Sequence, residues 1–466
     1  MSNKTKSFTN TVEVRQNKSL ACKIFRSCLE QLHKIKYFEN QFTVNNILNN
    51  QIALNSIFHY QKSQNQIQDE GLTILCSSLT TLKSISNFEL IVQFNLLNNQ
   101  CGAAFFTLFS EISQSLKTLN LDLSNNQIGD EGVSALGEAI LNCQQLNNLQ
   151  LNLNSNKIGK QGVVQLYSTL AKCICLNILS IQLNDTNIGS NGVSDLCQSL
   201  ISYANLQNLS LTIDENAIGP DTSLIIGQSL GKCQHLQELF LSLHSNSIDA
   251  KGVLNIASAL KGCQNLSSLF IDFQQNNIQN EGLSSLAHTL EVCQNLQKIN
   301  LSLCQNNIGD KGVSSLGLSL QKCLNLSILN LDFYENNIGS EGVKQLGLSL
   351  ASCKNLIKLE LYLISNEIKN DGACFLISQL GNCSKLNNLQ LDLMQKKYKF
   401  ILQNQNNYKK LLTFIFYTFF QKQQNFLIQN TQIIYSYNKI DDQTSNKLHQ
   451  KVRKIKKLVI LFYQDN

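Results

Sequence analysis

The chain has 466 residues, 43% of them hydrophobic and 15% charged, with one proline, no tryptophan and a formal charge of +6. That length is ample for one long array with terminal caps. The charge is divided: residues 119–393 carry 14 Lys, no Arg and 22 Asp or Glu, a net −8, whereas the first 118 residues sum to +4 and the last 73 to +10. An argument from basicity to nucleic-acid binding therefore fails for the array, which is acidic.

The first ten residues, MSNKTKSFTN, are polar and hold no signal-peptide core. Within an N-terminal segment over 1–64, Leu20, Ile24, Cys28 and Leu32 fall four apart, so a helix over 17–37 is expected to cap the first repeat. Residues 65–118 read as two degenerate repeats, because Gly71, and Gly102 with Leu116, fit the frame of the next region.

From 119 to 393 a 30-residue repeat runs nine times in register and ends in a closing strand. An isoleucine recurs every thirty residues from Ile128 to Ile368, with an asparagine two places before it from Asn126 to Asn366, Thr186 excepted. Such self-similarity is the mark of a solenoid, whose units bury their apolar faces against their neighbours. In the unit 149–178, Leu149, Leu151 and Leu153 alternate with polar residues as a half-buried strand does. Gly159 and Gly162 then mark a turn, and Val163, Leu166, Leu170 and Cys173 step by three or four as one face of a helix. Parallel strands joined by helical crossovers are implied. The asparagine column is expected to satisfy backbone groups at the turns, since an Asn side chain offers both acceptor and donors. Thr222 interrupts the glycine column beside Pro220, so irregularity is expected around 218–227.

After Leu393 the frame collapses. Residues 394–447 are biased toward Gln, Asn, Lys, Phe and Tyr and are expected to be weakly ordered. In 448–466, Leu448, Val452, Ile455 and Leu458, with Lys451, Arg453, Lys454, Lys456 and Lys457 among them, suggest a basic amphipathic closing helix. The longest apolar run, Leu411 to Phe420, is too short for a membrane span of about 20 residues. Eight of the sixteen cysteines form a column from Cys143 to Cys383, with Tyr203 in the missing slot. Adjacent helices about 8–10 Å apart are too distant for disulfides. The column is expected to hold free, buried thiols in a reducing compartment, the cytoplasm or the nucleus.

The pattern L-x-x-L-x-L-x-L-x-x-N-x-I-G-x-x-G-V-x-x-L-x-x-x-L-x-x-C-x-x-L resembles the leucine-rich repeat of the ribonuclease-inhibitor type over 119–393. It departs from that family in a strand core two residues longer, which preserves strand parity. The resemblance implies an α/β solenoid, an open horseshoe with parallel strands on the concave face and helices on the convex face. It also implies a non-catalytic scaffold for protein–protein interaction. The Asn, Gln and Lys bias resembles that of ciliate proteins.

No phosphate-binding, dinucleotide-binding, zinc-protease or nucleophile-elbow motif occurs, nor the kinase triplets H-R-D and D-F-G. No cofactor, metal or catalytic residue is therefore expected. The informative surface is the outward set of strand positions, read as three columns headed by Asn120, Asp122 and Ser124. These columns hold six acids and neither Lys nor Arg, and their aromatics fall in the C-terminal half. Phe240, His244, Phe270, Asp272, Asp332, Tyr334, Glu360 and Tyr362 are the expected contact residues for a protein partner that is basic or neutral at its surface. An alternative is a regulator similar to the leucine-rich activators of the Ran GTPase. Those proteins end acidic, whereas this chain ends basic, and the array has no arginine to serve as a finger.

Overall fold

In a computed structural model the chain is described over residues 57–61, 66–393 (save 82, 187 and 204), 430–434 and 458–461. The helix expected over 17–37, and most of 394–466, lie outside the described residues. The chain divides into two compact units, Met1–Asn216 and Ala217–Asn466.

In the first unit, strands β1 (Ile57–Gln61), β2 (Asn87–Ile91), β3 (Thr118–Asp122), β4 (Asn148–Asn152), β5 (Ile178–Gln182) and β6 (Asn208–Thr212) pair in parallel, each with the next. Between them run helices α1 (Gln68–Leu79), α2 (Cys101–Ile112), α3 (Asp130–Leu141), α4 (Lys160–Leu170) and α5 (Gly189–Ser199). The second unit continues the scheme. Its strands are β7 (Glu238–Ser242), β8 (Ser268–Asp272), β9 (Lys298–Ser302), β10 (Ile328–Asp332), β11 (Lys358–Tyr362) and β12 (Asn388–Asp392). Its helices are α6 (Pro220–Leu230), α7 (Ala250–Leu260), α8 (Gln279–Leu290), α9 (Asp310–Leu320), α10 (Ser340–Ala351) and α11 (Asn370–Leu380). Two more parallel strands come after β12, namely β13 (Asn430–Ile434) and β14 (Leu458–Leu461). Where a closing helix is expected to include Leu458, a strand stands over 458–461; four consecutive apolar residues there suit a strand better than a helix face.

Strands β2 to β12 bury their alternate apolar residues. Leu329, Leu331, Leu346 and Leu350 are all fully buried between sheet and helices. The asparagine column works as expected. Asn336 Oδ1 accepts from Asn306 N (3.1 Å) and Ile308 N (2.9 Å), and its Nδ2 donates to the carbonyls of Leu303, Phe333 and Tyr334 at 2.8–3.3 Å. Thr186, the exception, donates to Leu183 O (2.7 Å) and to Asn216 Oδ1 (3.5 Å).

A second inter-repeat device is invisible in the repeat consensus. Helices α3, α4, α9 and α10 start at a glycine in extended conformation, which has no side chain to cap with. The cap comes instead from the preceding repeat. Gly129 N donates to Asn99 Oδ1 (2.7 Å), Gly159 N to Asp130 Oδ1 (2.6 Å), Gly309 N to Asn280 Oδ1 (2.8 Å) and Gly339 N to Asp310 Oδ1 (2.6 Å). Where the preceding residue is Lys160 or Ala250, which offers no side-chain acceptor, the next helix starts differently. Gly189 and Gln279 then take left-handed φ values of 60° and 55°. Irregularity therefore falls one repeat before and two repeats after the expected 218–227. There Pro220 sits at the first helical position, which suits its fixed φ. Asp310→Ala is expected to lower stability by about 1–2 kcal/mol, seen as a lower denaturant midpoint at unchanged slope.

The cysteine column is buried and free, in keeping with its spacing. Its thiols are also donors. Cys263 Sγ reaches Leu230 O at 3.5 Å, Cys323 reaches Leu290 O at 3.5 Å, and Cys383 reaches Leu350 O at 3.4 Å. Each thus engages a carbonyl at the end of the previous repeat's helix, where partners are scarce. Burial, with smaller effects from neighbouring thiols, pushes Cys263 and Cys383 up to about 12, so both stay protonated. Among the described cysteines Cys175 alone is exposed. In native conditions an aromatic disulfide reagent is expected to modify Cys175 within minutes and the column only on unfolding, as read by peptide mass mapping.

Candidate functional site

The strand face of the second unit is built by register. Within one outward column Phe240 pairs with Phe270, Phe270 with Asn300, Asn300 with Asn330, and Asn330 with Glu360. In the adjacent column Asp272 pairs with Ser302, Ser302 with Asp332, Asp332 with Tyr362, and Tyr362 with Asp392. Parallel strands about 4.8 Å apart thus set equivalent side chains in rows.

At one end the rings of Phe240 and Phe270 stack with centroids 3.9 Å apart and planes 5° from parallel. Phe240 is still 36% exposed. No strand geometry demands two aromatics here; the equivalent positions on the next three strands are Asn300, Asn330 and Glu360.

Toward the other end lies an acidic cluster. Tyr362 is half-buried, and burial first, then the charges of Glu360, Asp332 and Asp392, raise its phenol above the ordinary tyrosine range. Glu360 is held by Lys358, Nζ to Oε1 2.7 Å. Asp332 Oδ1 accepts from Tyr334 N at 3.0 Å, closing the strand end. Cys304, 4% exposed, is pushed up to about 12 by burial and by the Asp332 charge beside it. Asn330 Oδ1, between the aromatic and acidic ends, is buried without a hydrogen-bond partner among the described residues.

Three more of the expected contact residues have local duties. Asp272 Oδ1 accepts from Gln274 N (2.8 Å), the same strand-end bond that Asp332 makes. Tyr334 Oη donates to Glu335 Oε1 (2.9 Å), and Glu335 in turn accepts from Gln305 Nε2. His244 Nε2 shares a 3.0 Å hydrogen bond with Gln275 Oε1, to which Ser245 Oγ also donates. The register therefore brings Phe240 to Phe270 and Asp332 to Tyr362, with Glu360 two residues before Tyr362 on the same strand. Asp272 is separated from that acidic cluster by Ser302.

The sequence columns miss one outward row. The strands begin one residue earlier than Leu149 and its equivalents suggest, so Glu238, Ser268, Lys298, Ile328, Lys358 and Asn388 share the face. The outward face therefore does carry cations, at Lys298 and Lys358. Parity could have found them, since they stand two residues before the first column. Among the described residues no group of His, Cys, Asp and Glu has the arrangement of a metal site. No described helix is long and apolar enough to cross a membrane.

A family model described as Leucine Rich repeat matches residues 113–137, 145–166, 263–287 and 292–317, two stretches in each unit. No curated protein matches. Among solved structures, the complex of Rad7 and Elc1 in yeast is similar at 14% identity and a TM-score of 0.44, covering 72% of this chain and 82% of that one. With strand and helix alternating through every matched stretch, the chain folds as an α/β leucine-rich-repeat solenoid.

Proposed function

We propose that this chain is a non-catalytic scaffold, of the ribonuclease-inhibitor type, that holds a protein partner on the strand face of its second unit. The observation that carries this reading is the stacked, part-exposed Phe240–Phe270 pair among polar neighbours. Aromatic anchors ringed by polar residues are where binding energy concentrates in protein interfaces. The free, hydrogen-bonded thiol column supports work in a reducing compartment, the cytoplasm or the nucleus.

Affinity capture from a cell lysate tests it, with the full chain as one bait and a Phe240→Ala, Phe270→Ala, Tyr362→Ala variant as the other. The variant should melt within a few degrees of the parent, because all three side chains point away from the core. A protein held by the parent and weakened more than tenfold in the variant is the expected result. Equal retention by both baits would remove the strand face from consideration. A captured small GTPase whose GTP hydrolysis the chain accelerates would replace scaffolding with the regulator reading.

A further inference from the structure

Resting on that reading, we infer that the strand face selects a partner segment with two anchors: an aromatic or large aliphatic side chain, and a Lys or Arg three to five residues from it. The first anchor site is the Phe240–Phe270 stack on β7 and β8. Two rings 3.9 Å apart and 5° from parallel present one flat edge to solvent. A third apolar side chain laid against them removes that surface from water, and aromatic contacts add to the burial.

The second anchor site lies on β10 and β11, at Asp332 and Tyr362, with Asp392 beside them on β12. The charges there do not cancel. Lys358 engages Glu360 at 2.7 Å, while Asp332 stands by register opposite Ser302 on one side and Tyr362 on the other. Asp392 stands opposite Tyr362 in turn but is only 5% exposed, so it adds its charge from below the surface and Asp332 is the carboxylate that meets a partner. That arrangement suits a guanidinium or ammonium, which gains from both charge and the ring face. Both lysines of this face stand in the first outward row, at Lys298 and Lys358, so they flank the acidic cluster and do not fill it. The surface is thus apolar at one end and anionic at the other.

The spacing comes from the sheet. From β8 to β10 or β11 is two or three strand intervals, about 10–14 Å. An extended chain advances about 3.3–3.6 Å per residue, which gives three to four residues, or five when the segment bows. The intervening surface is made of Asn300, Ser302 and Asn330, all half-buried and polar. Asn330 carries the unpartnered amide oxygen, which a small side-chain rotation would turn toward a peptide N–H of a segment crossing the strands.

The test is selection of random twelve-residue peptides displayed on phage against the full chain, with the Phe240→Ala, Phe270→Ala variant as counter-selector. Enriched peptides are then measured by fluorescence anisotropy. The expected result is enrichment of an aromatic or Leu three to five positions from Lys or Arg. Asp332→Asn, which keeps the acceptor for Tyr334 N and removes the charge, should weaken such a peptide about tenfold at low salt and flatten its salt dependence. Asp130→Asn, on a helix of the first unit, is the matched control and should leave affinity unchanged. Peptides that depend on the phenylalanines but carry no cation, or that ignore Asp332→Asn, would overturn the two-anchor inference and leave the strand-face scaffold standing. No enrichment over the counter-selector would overturn both.

Discussion

Asn336→Ala should destabilise the second unit by about 3–5 kcal/mol, as much as truncating a large core side chain. The alanine leaves Asn306 N and Ile308 N without the acceptor they share, and strips a donor from three carbonyls. Each buried backbone group left unpaired costs about 1–3 kcal/mol, and water reaches only part of the site because Asn336 is 6% exposed. Leucine is expected to do no better, since the loss is of hydrogen bonds and not of volume. The measurement is urea unfolding followed by far-ultraviolet dichroism, together with amide exchange of the turns at 303–308 and 333–338. Neighbour-coupled arrays open locally when one unit weakens, so exchange should accelerate first in those turns. An unfolding free energy within about 1 kcal/mol of the parent's would show that the asparagine column is not what holds the turns.

Gly342→Ala is the second large effect, about 2–4 kcal/mol, although it adds a single methyl group. A Cβ there would stand 2.5 Å from Asp310 Oδ1 and 2.8 Å from Asp310 Cα. The second of these is backbone, so α10 must move away from α9, and forced separation of packed elements costs about 1–3 kcal/mol. The displaced Asp310 carboxylate is also the acceptor for Gly339 N at 2.6 Å, so the helix start loses its cap at the same time. Gly219→Ala is the matched control. Its φ is −101° and nothing lies within 4 Å of the added atom, so the loss should stay under about 1 kcal/mol. Equal melting temperatures for the two variants would sink the close-approach argument.

Sequence and structure agree where the signal is a repeated burial. Leu149, Ile158 and Leu166 each occupy a position that an apolar side chain fills in all nine repeats, and Val163 one that is apolar in eight, Ser223 excepted, so the copies reinforce one another. Register comes from the same columns, and with it the meeting of Phe240 with Phe270. What escapes the sequence depends on variable positions or on bonds between repeats. Asp130, Asn280 and Asp310 differ in type from Lys160 and Ala250 at one repeat position, so the column looks like ordinary surface until the cap on the next repeat's glycine is seen. Lys298 and Lys358 go unnoticed because an outward residue before the first buried leucine carries no apolar partner to mark the strand start. The duty of Asp272 to Gln274 N is likewise local geometry, and it makes that carboxylate part of the strand end whatever binds nearby.

The two inter-repeat bonds run in opposite senses along the chain. Asp310 caps the helix of the next repeat, while Asn336 satisfies the turn of the repeat before it. The blocks holding Lys160 and Ala250 lack the cap. Blocks with an acceptor at that position, such as those holding Asp130, Asn280 or Asp310, thus present the same pair of unmet needs and the same pair of offers at their two borders. A gene that lost or copied one such block in frame would still join like edge to like edge, whereas a gain or loss of one residue would misalign both bonds at once. Copy number, more than point substitution, is then the variable through which the reach of this surface can change while its fold is kept.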